Sequence, residues 1–356
     1  GDVWLVDEAG AVCRFDPLAE RCGALYVDEA GMAPGPVTGA TVQSSPNGMP
    51  AFYYTTAGNG VSGFDGERWQ RYEAVGEALL DNAVYALSRD QDGFLWAALD
   101  GGVQKINPAD PTLSWVYTEG DALPLTGVRA IAPGTIDGLW FGGENGAALL
   151  TDGAWRHFTT ADGLASDNVQ ALAADRQRRT WIGTRNGLSV WNGESFFTLT
   201  RENGLPSDNI TALLAGENGM WIGTSNGGLY EFAQNQLRVY NANNAGLLSD
   251  TVTVLALAAD GRVLVGSERG LARFADGQAE AVPDIPAVPI ASLAVADEQI
   301  WVGTVNDGLY HFDGAEWAHR AATDGLPSAT LNALAVDQYG SPWAGGELGG
   351  LMRLPQ

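Results

Sequence analysis

Short apolar runs, separated by clusters of Gly, Asn, Asp and Ser, follow one another along the whole chain. One run recurs with a tryptophan followed by small residues, and its clearest copies are Trp181–Thr184, Trp221–Thr224 and Trp301–Thr304. Looser copies carry Trp4, Trp96, Trp140 and Trp343, and two positions fit the spacing without tryptophan, Phe52–Tyr54 and Leu264–Ser267. The copies number nine and lie about 37 to 49 residues apart, a period that indicates a repeat architecture.

Each copy predicts four short strands. In the clearest copy the strands are Ile210–Leu214, Met220–Thr224, Gly228–Phe232 and Gln236–Tyr240. The Asn-Gly pair between the second and third strands supplies the positive φ that a tight hairpin needs. A meander of this kind buries both faces only by stacking against its neighbours. We therefore predict an all-β fold, a single β-propeller domain over residues 1–356 with the recurring tryptophans packed between blades.

The two ends of the chain determine the expected blade count. The first copy has three strands and lacks the innermost one, and the last copy, over Leu331–Leu354, lacks the outermost one. Because both copies contain the central strand, they do not merge into one blade. We predict nine blades. The alternatives are an eight-bladed ring with a displaced end and a chain cut from a longer array.

Charge narrows the choice of partners. The chain has 43 Asp and Glu against 19 Lys and Arg, a net charge of −24, and Lys105 is its single lysine. Such a surface repels phosphate backbones and anionic lipid. We predict no nucleic-acid binding, no membrane insertion by this chain, and a monomer.

The two cysteines, Cys13 and Cys22, flank a predicted hairpin turn at Asp16-Pro17. Positions on adjacent strands can come close enough for a disulfide, and export of the protein would favour it. We predict this disulfide, with two separate buried thiols as the alternative.

No set of residues typical of catalysis occurs. The three histidines, His157, His311 and His319, are scattered, without the spacing of metal ligands. The run Asp90–Gly93 resembles part of a calcium loop but lacks the later acidic positions, and it aligns with an ordinary turn at Asp337–Gly340. Nucleophile elbows and phosphate-binding loops are missing from the sequence. We predict no cofactor, no metal and no enzymatic activity.

The loops between the second and third strands vary in sequence while the strands beside them do not. Because loops on a rigid scaffold commonly carry recognition, we predict a ligand-binding mouth on this face. Its candidate loop residues are Asp100, Glu144, Arg185, Glu268 and Glu347, and the connections between blades add Asn82, Asn168 and Asn209. The mouth is expected to bind a polar small molecule, an oligosaccharide or a protein. The alternative is that these polar residues only form turns.

Two segments resemble the two-component regulator propeller repeat. One is Gly204–Asn209 followed by Trp221–Leu229, and the other is Gly163–Asn168 followed by Trp181–Leu188. Propellers of this family are often the periplasmic sensory part of bacterial hybrid histidine kinases, where they recognise breakdown products of polysaccharides. The repeats also resemble those of stand-alone secreted binding proteins and, distantly, those of propeller lyases.

The sequence thus predicts a non-enzymatic ligand-recognition or sensor propeller, periplasmic or secreted from a bacterium. The first alternative is a protein-interaction scaffold without a small ligand. The second is a propeller lyase, which would need histidines and carboxylates together over the propeller axis.

Overall fold

The residues that the computed structural model describes form nine antiparallel β-sheets. The chain divides into two compact units, residues 1–78 and residues 79–356. In residues 1–79 the structure describes the backbone of seven strands. Beyond them it describes residues 80–109, 114–119, 123–134, 138–217, 219–234, 236–347 and 349–354, except the side chain of Asn203.

The first unit contains two sheets. The three-stranded sheet, with the strand number predicted for the first repeat, consists of β1 (Val3–Val6), β2 (Val12–Asp16) and β3 (Arg21–Tyr26). The four-stranded sheet consists of β4 (Val37–Ser44), β5 (Pro50–Thr56), β6 (Gly60–Phe64) and β7 (Trp69–Tyr72). The side chains of Cys13 and Cys22 lie outside the described residues, so the disulfide stays a prediction.

The second unit contains seven sheets, which we name blades 1 to 7 in chain order. Blade 1 is β8 (Val84–Arg89), β9 (Leu95–Leu99), β10 (Gly102–Ile106) and β11 (Ser114–Tyr117). Blade 2 is β12 (Ala130–Pro133), β13 (Leu139–Gly143), β14 (Gly146–Thr151) and β15 (Ala154–Phe158). Blade 3 is β16 (Val169–Ala174), β17 (Thr180–Thr184), β18 (Gly187–Trp191) and β19 (Phe196–Leu199).

The later blades repeat this order. Blade 4 is β20 (Ile210–Ala215), β21 (Gly219–Thr224), β22 (Leu229–Ala233) and β23 (Gln236–Tyr240). Blade 5 is β24 (Val252–Leu257), β25 (Val263–Ser267), β26 (Gly270–Ala275) and β27 (Gln278–Ala281). Blade 6 is β28 (Ile290–Ala296), β29 (Gln299–Thr304), β30 (Leu309–Phe312) and β31 (Trp317–Arg320). Blade 7 is β32 (Leu331–Val336), β33 (Pro342–Gly346) and β34 (Leu351–Arg353).

The seven blades form a closed ring. The first strands of successive blades contact one another, and β32 of blade 7 contacts β8 of blade 1. The N–H of Gly350 in blade 7 donates to the carbonyl of Asn82, before blade 1, at 2.9 Å, just as Gly187 donates to Asp208 of the next blade at 2.8 Å. The prediction of nine blades is therefore wrong, and so is the alternative of eight. Counting repeats does not show which copies share a ring, because that depends on contacts between distant parts of the chain.

Two further predictions concern the extent of the fold. Blade 7 has three strands among the described residues, as predicted for the last repeat. The assignment of residues 1–356 to one domain stays a prediction. Among the described residues, no helix has the length and apolar character needed to cross a membrane.

The glycine in the tryptophan strand allows blades to approach closely. A Cβ placed on Gly183 of β17 would lie 2.6 Å from Cγ2 of Ile210, the first residue of blade 4. A Cβ on Gly345 of blade 7 would lie 2.4 Å from Cγ1 of Val84 in blade 1. The branched side chain that opens a first strand thus fills the space above the glycine of the preceding blade. This contact explains why the recurring run carries glycine after its tryptophan.

Within the described side chains, the recurring tryptophans are packed between blades, as predicted, with Trp221 half-buried; the side chain of Trp4 lies outside the described residues. Five of them are at most 4% exposed: Trp96, Trp140, Trp181, Trp301 and Trp343. In three blades an aspartate six residues earlier also accepts the indole N–H. The Nε1–Oδ2 distance is 2.7 Å between Trp181 and Asp175 and 2.9 Å between Trp343 and Asp337. Each indole therefore joins the core and fixes the turn before its own strand.

Candidate functional site

One face of the ring carries the loops between second and third strands together with the connections between blades. We call it the upper face, and the opposite one the lower face. The first loop residue donates its N–H to the connection that leads into the same blade, as from Arg185 to the carbonyl of Asn168 at 3.0 Å. Glu347 makes the same bond to Thr330 at 3.3 Å. The same backbone bond recurs in five of the seven blades, while the side chain of the first loop residue differs from blade to blade.

The five predicted loop residues are all exposed on the upper face: Asp100, Glu144, Arg185, Glu268 and Glu347. Asp100 accepts a hydrogen bond from the Tyr85 hydroxyl at 3.4 Å. Within the described part of the chain, the carboxylates of Glu144, Glu268 and Glu347 form no hydrogen bond or ion pair. These groups are free to meet a ligand, and their role in binding one stays a prediction.

The three predicted amides occupy two kinds of position. Asn168 and Asn209 directly precede the first strands of blades 3 and 4, whereas Asn82 lies one position further from its strand. Asn82 is exposed, and the other two are half-buried. The Oδ1 atom of Asn209 is buried and accepts no hydrogen bond from the described residues. An unused acceptor therefore lies beside the first strand of blade 4.

The aspartates of the connections serve the backbone instead. An Oδ1 atom accepts an N–H from the start of the same connection in three cases: Asp167 from Thr160 (2.6 Å), Asp208 from Arg201 (2.6 Å) and Asp250 from Ala242 (2.7 Å). The turns contain the short helical segments Thr160–Asp162, Arg201–Asn203 and α1 (Ala242–Ala245). These three aspartates thus close the turns of their own connections.

The first strands contribute a second set of upper-face residues that the sequence did not predict as a site. In six blades the register between first and second strands shifts by one residue, which marks a β-bulge. The bulged residues, with Arg129 at the equivalent position of blade 2, form what we call the bulge ring: Tyr85, Arg129, Gln170, Thr211, Thr253, Ala291 and Asn332. All seven are half-buried. Because the first strands contact one another around the ring, this set lies at its inner edge, and bulges commonly re-aim side chains next to functional sites.

The bulge ring has two unlike halves. In blades 4 and 5 the hydroxyls of Thr211 and Thr253 donate to carbonyls of the following blade, at 2.5 and 2.6 Å. In blades 1 and 2 the guanidinium carbon of Arg129 lies 3.5 Å from the ring centroid of Tyr85, which indicates a cation–π stack. Nη1 of Arg129 is buried and has no hydrogen-bond partner among the described residues. In blades 4 and 5 the bulge-ring side chains are therefore short, and their hydroxyls are already hydrogen-bonded. In blades 1 and 2 they are long, and Arg129 keeps an unused donor.

The loop of blade 6 is held by its own side chains. The Tyr310 hydroxyl donates to Oδ2 of Asp307 at 2.8 Å, and the Tyr310 ring stacks on His319 with centroids 4.4 Å apart. Burial, and then the bond to the Asp307 carboxylate, raises the pKa of Tyr310 to about 12. Tyr310 therefore stays a neutral hydrogen-bond donor at physiological pH.

Polar groups of the lower face are tied to the fold. The carboxylate of Asp90 accepts from the N–H of Phe94 and from Nε1 of Trp96, both at 2.8 Å, and Lys105 Nζ lies 3.4 Å away. The run Asp90–Gly93 is therefore a structural turn, as predicted. A cavity of about 410 Å³ opens at the lower ends of the first strands of blades 2 to 4, and leucines and alanines provide most of its lining. The Asp90 carboxylate is thus engaged in the fold, although charged residues such as Asp260 and Glu298 are exposed on the turns of this face.

The histidines lie away from the inner edge. His157 and His319 are on the outermost strands of blades 2 and 6, as predicted, and Nε2 of His157 lies 3.0 Å from the carbonyl of Asn145. His311 stacks on Trp301, and burial lowers the pKa of its imidazole. Within the described residues no three His, Cys, Asp or Glu side chains are grouped to hold a metal ion.

Comparison with known families confirms the repeat type. Residues 163–186 and 204–226 match the two component regulator propeller, so the chain carries repeats of that family. Both segments run from a connection through the first strand to the loop of the upper face. The search of curated proteins finds no relative of this chain.

Solved structures confirm the propeller fold. The extracellular domain of a one component system from B. thetaiotaomicron is 16% identical with a TM-score of 0.65 over 99% of this chain and 56% of its own. PorZ, a surface component of the type-IX secretion system of Porphyromonas gingivalis, is 15% identical with a TM-score of 0.63 over 99% of this chain and 61% of its own. This chain thus spans little more than half the length of either protein.

A third similar structure is virginiamycin B lyase from Staphylococcus aureus. It is 10% identical with a TM-score of 0.60, over 78% of this chain and 96% of its own. The matched share corresponds in length to the seven-bladed ring. At such identities the likeness establishes the fold alone.

Proposed function

We propose that the ring of residues 79–356 is an extracytoplasmic, non-enzymatic recognition domain of sensor type, which binds a polar, glycan-like ligand on its upper face. The observation that carries the proposal is the contrast between the two faces. Upper-face loops hold different, exposed side chains on a recurring backbone frame, and the carboxylates of Glu144, Glu268 and Glu347 have no partner among the described residues. On the lower face, carboxylates such as Asp175 and Asp337 are used to fix indoles and turns.

The repeat family and the fold support this proposal. The chain carries two-component regulator propeller repeats, and a similar fold occurs in the extracellular domain of a bacterial one component system. Loops on a rigid scaffold are where recognition commonly resides. A net charge of −24 also opposes binding to nucleic acid or anionic lipid, and we propose that the protein acts as a monomer.

A lyase activity is less well supported. The fold resembles that of virginiamycin B lyase, but His157 and His319 lie on outermost strands and His311 is stacked against Trp301. None of the three belongs to the bulge ring, where a group acting over the propeller axis would have to lie. The proposal therefore assigns no general base or acid to this protein.

Isothermal titration of the purified chain against a panel of neutral and acidic oligosaccharides tests the proposal. We expect binding that the triple variant Asp100→Asn, Glu144→Gln, Glu268→Gln weakens at least tenfold. The matched control is Asp260→Asn with Glu298→Gln, which removes charges from lower-face turns and should leave binding unchanged. Absence of binding to the panel, or unchanged affinity in the triple variant, would reject the upper face as a recognition site and favour a protein-interaction scaffold.

A further inference from the structure

Arg129 is the single charged residue of the bulge ring, and its environment is unusual for this protein. The chain has 43 acidic residues against 19 basic ones, yet no Asp or Glu among the described residues forms an ion pair with Arg129. Its guanidinium lies on the face of Tyr85 at 3.5 Å, and its Nη1 is buried without a hydrogen-bond partner. A buried donor without an acceptor destabilises a fold, so its presence calls for an explanation.

The stack fixes the plane of the guanidinium. Because Tyr85 covers one face, the edge of the guanidinium is what can meet a partner, and that edge is a planar fork of N–H groups. The Tyr85 hydroxyl donates to Asp100, which holds the phenol in place from its other end. Tyr85 and Asp100 therefore position Arg129. A planar fork with no acid beside it is the geometry that recognises a carboxylate.

Two amides of the bulge ring lie on either side of the pair formed by Tyr85 and Arg129. Gln170 of blade 3 and Asn332 of blade 7 are half-buried amides, each able to donate and accept hydrogen bonds. Across the ring, Thr211 and Thr253 have already donated their hydroxyls to backbone carbonyls, and Ala291 has no polar atom. The side chains of the bulge ring are thus long and polar over blades 7, 1, 2 and 3 and short over blades 4 to 6.

We propose that this half of the bulge ring is a binding site for a sugar that carries a carboxylate, a uronic acid of an oligosaccharide. Arg129 pairs with the carboxylate, while Gln170 and Asn332 meet the hydroxyls. The inference rests on the proposed function and names its ligand class. Asp100, which is bonded to Tyr85, opposes an anionic ligand at close range, so the fork of Arg129 has to outweigh this carboxylate, while salt screens charges that lie farther away than about 8 Å.

The test compares uronate-containing oligosaccharides of two to six sugars with neutral counterparts in which a CH₂OH group replaces the carboxylate. Isothermal titration should give at least tenfold tighter binding for the acidic member of a pair. Arg129→Gln should abolish this preference, and Arg129→Lys, which keeps the charge and loses the fork, should retain part of it. The affinity of the acidic ligand should also fall as salt is raised.

The matched control is Arg156→Gln. Arg156 belongs to the same blade and also lies over an aromatic ring, 4.6 Å from the centroid of Phe158, but it sits on the outermost strand. This variant should keep the preference for uronate, and equal melting temperatures of the Arg129 and Arg156 variants would exclude a general folding defect.

Two results would overturn the inference. If neutral oligosaccharides bind as tightly as acidic ones and Arg129→Gln changes nothing, the carboxylate site is wrong. The proposed function survives in that case, provided that the triple loop variant still loses binding. If no oligosaccharide binds at all, both proposals fail.

Discussion

Asp337 illustrates how single residues of this ring combine packing with turn formation. Its fully buried carboxylate accepts the indole N–H of Trp343 at 2.9 Å and the backbone N–H groups of Tyr339 and Ser341 at 2.8 and 2.9 Å. A buried carboxylate is tolerated only when such donors surround it. The turn and the tryptophan strand of blade 7 therefore depend on one side chain.

Replacing this carboxylate tests the dependence. Asp337→Ala leaves three donors unsatisfied, and we expect the free energy of unfolding to fall by about 1–3 kcal/mol in urea titrations. Asp260→Ala is the matched control, because Asp260 lies in the corresponding turn of blade 5 but is exposed and precedes Leu264 instead of a tryptophan. That variant should lose less than about 0.5 kcal/mol. Equal losses would contradict the role given to Asp337.

His311 predicts a pH dependence of stability. Burial lowers the pKa of this imidazole in the folded protein; the Asp313 carboxylate opposes this with a smaller effect, and the Arg320 cation adds slightly to it. As the pH falls below about 6.5, the unfolded chain takes up the proton first, so stability decreases toward the folded pKa. The slope should stay below about 1.4 kcal/mol per pH unit, the limit set by one proton, because solvent screens a partly exposed ring.

Unfolding in urea between pH 5 and 7 measures this slope. His311→Phe keeps an aromatic ring against Trp301 and removes the titrating group, so its stability should change less over this range than that of the unmodified protein. Identical pH profiles for the two proteins would show that His311 does not contribute.

At the scale of the blade, the connection into blade 4 is closed by a hydrogen bond to an aspartate and anchored by a buried leucine. Asp208 accepts the N–H of Arg201 at 2.6 Å, and Leu205 between them is buried in the core of blades 3 and 4. This geometry explains the Gly-Leu-Pro-Ser-Asp run of the sequence in physical terms. Glycine permits a positive φ at position 204, leucine anchors the turn, and aspartate closes it.

Mutation can separate the stabilising role of this aspartate from ligand recognition by the loops. Asp208→Ala should lower the free energy of unfolding by about 1.5 kcal/mol, the low end of the range for one hydrogen bond to a charged acceptor. Glu268→Gln, on an exposed loop of the same face, should leave stability unchanged within about 0.5 kcal/mol. If Glu268→Gln destabilises the protein as much as Asp208→Ala, the structural role given to Asp208 and denied to Glu268 is wrong.

Strands and turns were predictable because their signals are local. The run around Asn226-Gly227 and the tryptophan of β21 placed the hairpin of blade 4 correctly, although the positive φ lies at Gly228 and not in the Asn-Gly pair as predicted. Turn chemistry and apolar periodicity act over a few residues. The bulge ring was not predictable in this way. A bulge at Gln170 depends on the pairing register between two strands. The orientation of the Arg129 guanidinium depends on Tyr85, which lies in another blade.

At the scale of the whole molecule, the sequence repeats predict that blades exist but do not predict which blades close into one ring. The spacing of the tryptophans reveals that blades exist, and their fourfold strand order follows from it. Which blades share a ring is set by contacts such as that between Gly345 and Val84, which are 261 positions apart in the sequence. Nothing local to either residue encodes that contact, and this is why the expected count of nine was wrong.

The most direct test of the seven-bladed ring is a double-mutant cycle across its closure, measured by urea unfolding. Gly345→Ala places a Cβ 2.4 Å from Cγ1 of Val84, and Val84→Ala removes that atom, so the second change should relieve part of the cost of the first. The pair Gly183→Ala and Ile210→Ala, between blades 3 and 4, provides the reference for two blades in contact. The account predicts a coupling energy of at least about 0.5 kcal/mol in both cycles. Coupling at Gly183 with strict additivity at Gly345 would mean that blades 7 and 1 are not neighbours, and would contradict the closed ring of seven.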